Sequence, residues 1–235
     1  MIFTPDMLRN VRSALSRGLP TLQGCRAHEH VLSVAAGGPS LADTYQRLTG
    51  QIAAVNGSCG WLINRGVIPD LCAVMDPGEH MAGVIAADRR VRYFIASSCD
   101  PSVFDKLKDC DVTLWHPTGF PGVRQALPAD TLMVGGGCTM GLRWLSLGYT
   151  LGFRRFDLHG MDSSFRGEAT HAYKDRERDG PIITIHGRQT RLNYFEQVTD
   201  FFDWLGRMKQ PDMEPTEINV FGDGLLQDEW KRRAA

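Results

Sequence analysis

The chain has 235 residues, 43% of them hydrophobic and 23% charged, which supplies a sizeable core and excludes a disordered or fibrous protein. With 26 Lys and Arg against 27 Asp and Glu, the net charge of -1 gives no electrostatic footprint for a nucleic-acid partner. No stretch reaches the roughly 20 apolar residues of a membrane span, the N-terminus lacks a basic-then-apolar secretory pattern, and the six cysteines contain no C-x-x-C pair; together these predict a cytoplasmic protein without membrane insertion.

A helix is predicted over residues 5–17, within a helical extension over 1–29 that precedes a single domain over 30–235. Residues 31–36 then read as a buried strand that breaks at Gly37-Gly38 and restarts as a helix at Pro39-Ser40, continuing through Leu41, Tyr45 and Leu48 at helical spacing. That is the form of a phosphate-binding loop. The glycines let bare backbone approach an anion, and Pro39 and Ser40 suit a first helical turn whose N–H groups and partial positive charge favour phosphate.

Next come a strand over 51–56, a helix over 59–65 closed by Gly66, and a strand over 71–75 opening onto Asp76-Pro77-Gly78-Glu79. A helix over 79–89, a strand over 92–96, a helix over 101–108 capped by Asp100 and a strand over 112–115 continue the alternation. The segment Val134-Gly135-Gly136-Gly137-Cys138-Thr139 is a second glycine-rich turn, leading into a helix over 140–147. A strand over 155–159 ends in Gly160-Met161-Asp162, followed by a polar loop with Thr170-His171-Ala172-Tyr173 and a charged run over 174–179 expected to be solvated and mobile. Beyond it lie a strand over 182–186, an amphipathic helix over 193–208 with Phe195, Val198, Phe202 and Leu205 on one face, a last strand over 217–221 and a polar tail.

This β-α alternation predicts an α/β fold: a Rossmann-like open, mainly parallel sheet with helices on both faces. Ligands of such sheets gather at the carboxyl ends of strands, where Ala36, Asn56, Asp76 and Ser97 are placed. Asp76 and Asp162 are single carboxylates at strand ends, suited either to a Mg²⁺ bridging phosphates or to capping the turn that follows. His171, in a polar loop, is a candidate acid or base. Trp115-His116-Pro117, at another strand end, is a candidate for an acceptor pocket. No Lys-Ser/Thr follows Gly135-Gly136-Gly137, and Gly37-Gly38 lacks the third glycine of the dinucleotide fingerprint, so neither a P-loop NTPase nor an NAD enzyme is indicated. Zinc-type spacing and a Gly-x-Ser-x-Gly elbow are also missing from the sequence.

In order and spacing, the set Gly37-Gly38-Pro39-Ser40-Leu41, Val55-Asn56, Gly66 to Asp70, Met75-Asp76-Pro77, Gly137-Cys138-Thr139-Met140, Leu147-Gly148-Tyr149, Gly160-Met161-Asp162 and Thr170-His171-Ala172 resembles the MptE-like superfamily. That superfamily includes archaeal 6-hydroxymethylpterin diphosphokinases and bacterial motility-accessory-factor proteins linked to flagellin glycosylation. Its fold is similar to that of bacterial CMP-sialic acid sialyltransferases. The resemblance implies a nucleotide held by Gly37, Gly38, Pro39, Ser40, Asn56 and Asp76, with Gly136, Gly137, Cys138 and Thr139 facing it and His171 and Asp162 in catalysis. It implies a transferase that moves a sugar from a CMP-type donor to a small-molecule or glycan acceptor. The alternatives are an ATP-dependent diphosphokinase acting on a pterin-type alcohol, with Mg²⁺ on Asp76 and Asp162, and a nucleotide-binding module without chemistry. Two departures stand out: Ser163-Ser164-Phe165 replaces the tyrosines that the sialyltransferases carry after Gly-Ile-Asp, and Val74-Met75-Asp76-Pro77 replaces the diphosphokinases' Asp-Leu-Asp-Gly type segment.

Overall fold

The computed structural model describes residues 5–120, 122–174 and 180–234. Helix α1 (Pro5–Ser16) leads to β1 (His28–Ala35), α2 (Leu41–Thr44) with a 3₁₀ turn at Tyr45–Arg47, β2 (Gln51–Val55), α3 (Ser58–Ile63) and β3 (Leu71–Val74). Then follow α4 (Met81–Val84), β4 (Arg92–Ala96), α5 (Pro101–Lys106), β5 (Asp111–Trp115), α6 (Met140–Thr150) and β6 (Phe153–His159). The chain closes with β7 (Ile182–Ile185), β8 (Arg188–Arg191), α7 (Leu192–Met208), β9 (Glu217–Val220) and α8 (Leu225–Ala234).

Seven strands form one sheet in the order β5-β4-β3-β2-β1-β6-β9, and every pairing in it is parallel. The chain walks outward from β1 to β5, then returns to lay β6 on the other side of β1. The winding direction therefore reverses between β1 and β6, where an open α/β sheet has its ligand crevice. Register there pairs Val34 with Leu158 and Ala35 with His159, so the chains after Ala35 and His159 leave the sheet side by side.

Burial is continuous rather than alternating along Leu32 to Ala36, Leu71 to Val74 and Tyr93 to Ala96, the pattern of strands covered on both faces. On one face, the Trp144 indole of α6 donates to the Ala54 carbonyl at 2.9 Å and meets Phe94 edge-on at 5.8 Å. Trp204 of α7 packs edge-on against Phe156. Helix α6 lies close to the sheet because position 148 is glycine: a Cβ there would stand 2.7 Å from both Leu32 and Phe156. Met7, Val11 and Ala14 of α1 belong to the same core as the sheet, and Leu22 N–H donates to Leu114 O at 2.7 Å, laying the incoming chain along the outer edge of β5.

Several expected elements are altered. The helix expected over 79–89 is only Met81–Val84, because the Tyr93 hydroxyl donates to Ala86 O and accepts from Asp88 N–H, taking backbone groups that a longer helix would use. Likewise the helix expected from Ser40 through Leu48 is one α-turn followed by a 3₁₀ turn. The strand expected over 182–186 pairs only with β8, in a separate two-stranded hairpin. Helix α7 turns Tyr194, Gln197, Val198, Phe201 and Trp204 inward; Phe195, Phe202 and Leu205 are only partly buried, because both stripes are aromatic and the stripe ending in Trp204 faces the sheet. The polar tail is helix α8, anchored by buried Leu225 and Leu226. Residues 175–179 of the charged run lie outside the described residues. Among the described residues, no helix is long and apolar enough to cross a membrane.

Candidate functional site

A cleft of about 250 Å³ opens at the carboxyl edge of the sheet, where the winding reverses. Its wall takes Gly37 and Gly38 from the turn after β1, Asn56 from the turn after β2, Asp76 from beyond β3 and Asp162 from beyond β6. Cys138 and Thr139 come from the approach to α6, and His171 from the polar loop. Residues up to 161 positions apart in the chain thus meet in one place. Pro39, Ser40, Gly136 and Gly137 are not among the lining residues; Pro39 and Ser40 are buried and form the layer beneath. His116 is buried and likewise does not line this cleft.

The turns after β1 and β6 are zipped together. Ala36 N–H donates to His159 O at 2.8 Å and Gly38 N–H to Gly160 O at 2.7 Å; Ser40 N–H then donates to Asp162 Oδ2 at 2.6 Å, and the Ser40 hydroxyl donates to Asp162 Oδ1. Glycine at 38 is required by this approach, since a Cβ would lie 2.5 Å from Gly160 O and 2.9 Å from the Asp162 carboxylate. The N–H groups of Gly38 and Ser40, expected from the sequence to face a phosphate, are thus engaged by the chain itself. An anion does stand at the start of α2, and it is Asp162.

Asp162 is 2% exposed. Burial pushes its carboxyl up to about 6, against the two Ser40 hydrogen bonds that favour the anion. With both oxygens on Ser40, a cation could reach this carboxylate only by displacing those donors. Asp76 is more accessible: one oxygen accepts from Gly78 N–H at 2.8 Å and the other stands 3.8 Å from His80 Nε2. Among the described residues, no group of three or more His, Cys, Asp or Glu is placed to hold a metal.

Asn56 has a left-handed backbone with φ 49°, a conformation that costs an L-residue stability and that asparagine tolerates better than most. Its Oδ1 is shielded from solvent and finds no hydrogen-bond partner among the described residues. An orphaned acceptor and a strained backbone coincide on the cleft wall, a combination characteristic of ligand sites.

Opposite, the N-terminus of the 11-residue helix α6 points into the cleft through Thr139, Met140 and Gly141. The first N–H groups of a helix lack intrahelical partners and carry its positive dipole end. Cys138 contributes less than its position suggests. Its N–H donates to Asp200 at 2.8 Å, and burial, reinforced by Asp200, pushes its thiol up to about 12. The loop at Thr170–Tyr173 caps the β1 turn: Ala172 N–H donates to Gly37 O at 2.9 Å, and a Cβ on Gly37 would meet both His171 and Tyr173 at 2.6 Å. The Tyr173 ring also covers Gly57, spanning the turns after β1 and β2. Tyr194 and Gln197 of α7, which sequence reasoning missed, complete the wall. Gln197 is a polar residue within the inward stripe of an amphipathic helix, and that interruption was the available signal.

The sequence profile of the family described as 6-hydroxymethylpterin diphosphokinase MptE-like matches residues 6–168, well over half of the chain. No curated protein matches the sequence. Among solved structures, the MAf glycosyltransferase from Magnetospirillum magneticum AMB-1 is similar, with a TM-score of 0.70 at 17% identity. The alignment covers 99% of this chain and 42% of that one, so this chain spans less than half of that protein's length. At this identity the likeness is one of fold.

Two predictions follow from the geometry. A raised folded-state pKa at Asp162 means that the native state binds a proton more readily than the unfolded chain, so its contribution is present in acid and is lost as pH rises from about 4 through about 6. Between pH 4 and 7.5 the stability of Asp162→Asn is therefore expected to gain about 2 kcal/mol relative to wild type, read by urea unfolding at both pH values. Asn56→Gly, which relieves the left-handed strain, is expected to stabilise the fold by about 0.5–1 kcal/mol, read by thermal unfolding.

Proposed function

The chain belongs to the MptE-like family, and from that premise we propose that it is a nucleotide-dependent transferase that moves a sugar from a CMP-type donor to a hydroxyl-bearing small molecule or glycan. The observation carrying this reading is the charge of the cleft. Among the described residues that line it there is no lysine or arginine, while Asp76 and Asp162 contribute carboxylates. A triphosphate needs several positive charges to offset it, usually metal ions with Lys or Arg. The single charge of a phosphodiester linking a nucleoside to a sugar suits neutral donors at a helix N-terminus.

In this reading the start of α6 receives the phosphate and Asn56 Oδ1 accepts a hydrogen bond from a hydroxyl or amine of the nucleoside. Gly37 and Gly38 provide a floor without side chains. Transfer breaks the bond between the anomeric carbon and the phosphate oxygen and forms one to the acceptor oxygen. His171, over the turn after β1, takes the acceptor's proton or supplies one to the departing phosphate. The fold shared with a MAf glycosyltransferase supports this reading. The family's description favours the second, ATP-dependent diphosphate transfer; any Mg²⁺ would then arrive with the phosphates and take Asp76 as its protein ligand, Asp162 being engaged by Ser40.

A calorimetric panel of CMP, CDP, UDP, GDP, ADP and ATP, with and without Mg²⁺, tests the choice. Metal-independent preference for CMP, little changed in Asp76→Asn, is expected; Mg²⁺-dependent preference for ATP, lost in that variant, would replace sugar transfer with the diphosphokinase, and no binding at all would overturn both. With the donor so identified, His171→Ala is expected to keep its affinity and lower donor turnover by a factor of about 10²–10⁴. Unchanged turnover would remove His171 from the chemistry.

A further inference from the structure

We infer that Gln197 of α7 is a positioning residue that sets the anion-binding end of α6, an inference resting on the nucleotide reading of the cleft. Its side chain is 8% exposed and bridges two parts of the wall. The Ser163 hydroxyl donates to Gln197 Oε1 at 3.0 Å, and Gln197 Nε2 donates to Thr139 Oγ1 at 3.0 Å. Thr139 is the N-cap of α6, its Oγ1 accepting from Leu142 N–H at 3.5 Å. Ser163 stands at φ 54°, held in turn by the Thr190 hydroxyl on its carbonyl.

One helical turn further on, Asp200 accepts the Cys138 N–H, so α7 grips the residues before α6 from two positions on one face. The loop needs this support. Gly136 and Gly137 lie at φ 96° and 79°, and glycines do not hold a turn by their own preference. A glutamine suits the task because it is neutral. It ties down the cap without adding a second negative charge to that of Asp200, which already stands on the Cys138 N–H. The bridge uses one of its two N–H groups and one of two lone pairs, leaving a donor on a side chain that lines the cleft. Position 197 lies beyond residue 168, where the family match ends.

The experiment compares wild type, Gln197→Leu and Gln197→Glu. Calorimetry measures the affinity for CMP, or for the nucleotide the panel selects, and for the corresponding nucleoside; amide hydrogen exchange without ligand follows residues 136–142. Gln197→Leu is expected to bind the nucleotide about tenfold more weakly, and Gln197→Glu more weakly still, with a deficit that shrinks in high salt. Nucleoside affinity is expected to stay within about twofold, and exchange over 136–142 to quicken in the Leu variant while the rest of the chain is unchanged. Parallel loss of nucleotide and nucleoside, or unchanged affinity and exchange, would overturn the inference. Should wild type bind no nucleotide, the reading of the cleft fails by itself; exchange then decides the role of Gln197, and unaltered exchange over 136–142 rejects it. If Gln197→Leu does not fold, the near-isosteric Gln197→Glu carries the test through its salt-sensitive loss.

Discussion

A carboxylate removed from water must be paired or hydrogen-bonded, and Asp162 meets that demand through both donors of Ser40. The contact joins the turn after β1 to the turn after β6, the two strands between which the sheet reverses. Its surroundings are shaped to admit it. Gly38 has no room for a Cβ beside the carboxylate, and Gly224 has none beside the Asp162 backbone. Asp162 O in turn accepts from Leu226 N–H in the first turn of α8. One buried anion thus sets the position of the cleft floor, the beginning of α2 and the docking of the last helix.

With that anion built in, the cleft cannot recruit the start of α2 for a ligand. The uncommitted positive end of a helix is on the other wall, at α6, and its orientation depends on contacts from α7. The two walls therefore have different physical characters. The β1–β6 side is stiff, dense in backbone hydrogen bonds and without side chains at Gly37 and Gly38. The α6–α7 side is made of side-chain hydrogen bonds through Gln197 and Asp200 around a pair of left-handed glycines. A ligand lying between them meets backbone on one side and an adjustable polar network on the other.

Much of the frame was legible in the residues. Apolar runs marked β1, β2, β3 and β4 because strands buried on both faces are continuous in hydrophobicity, and Asp100 announced the start of α5 by its capping chemistry. The meeting of Gly37, Asn56 and Asp76 on one cleft followed from their placement at strand ends and turns, whereas Thr139 and His171 were placed there by the family resemblance. What escaped the sequence depends on contacts distant in the chain. Periodicity could not tell which of two aromatic stripes on α7 faces the sheet, nor that Tyr93 would take the Ala86 carbonyl and the Asp88 N–H just beyond α4. Nor could it tell that the partner of Ser40 would be an aspartate 122 positions away. A carboxylate after a strand suits a metal and a cap equally well; burial decides between them, and burial is a property of the assembled molecule.

Strand β1 is flanked by β2, made soon after it, and by β6, made more than a hundred residues later. Contacts so far apart in sequence are slow to form, and a chain emerging from the ribosome acquires them late. Until β6 is synthesised, β1 is an open edge, Ser40 has no acceptor and the wall formed by α6 does not exist in place. The cleft is consequently among the last parts of the molecule to be completed. Partial chains can own the glycine turn without owning the cleft, whose completion reports that the fold has closed through its central strand.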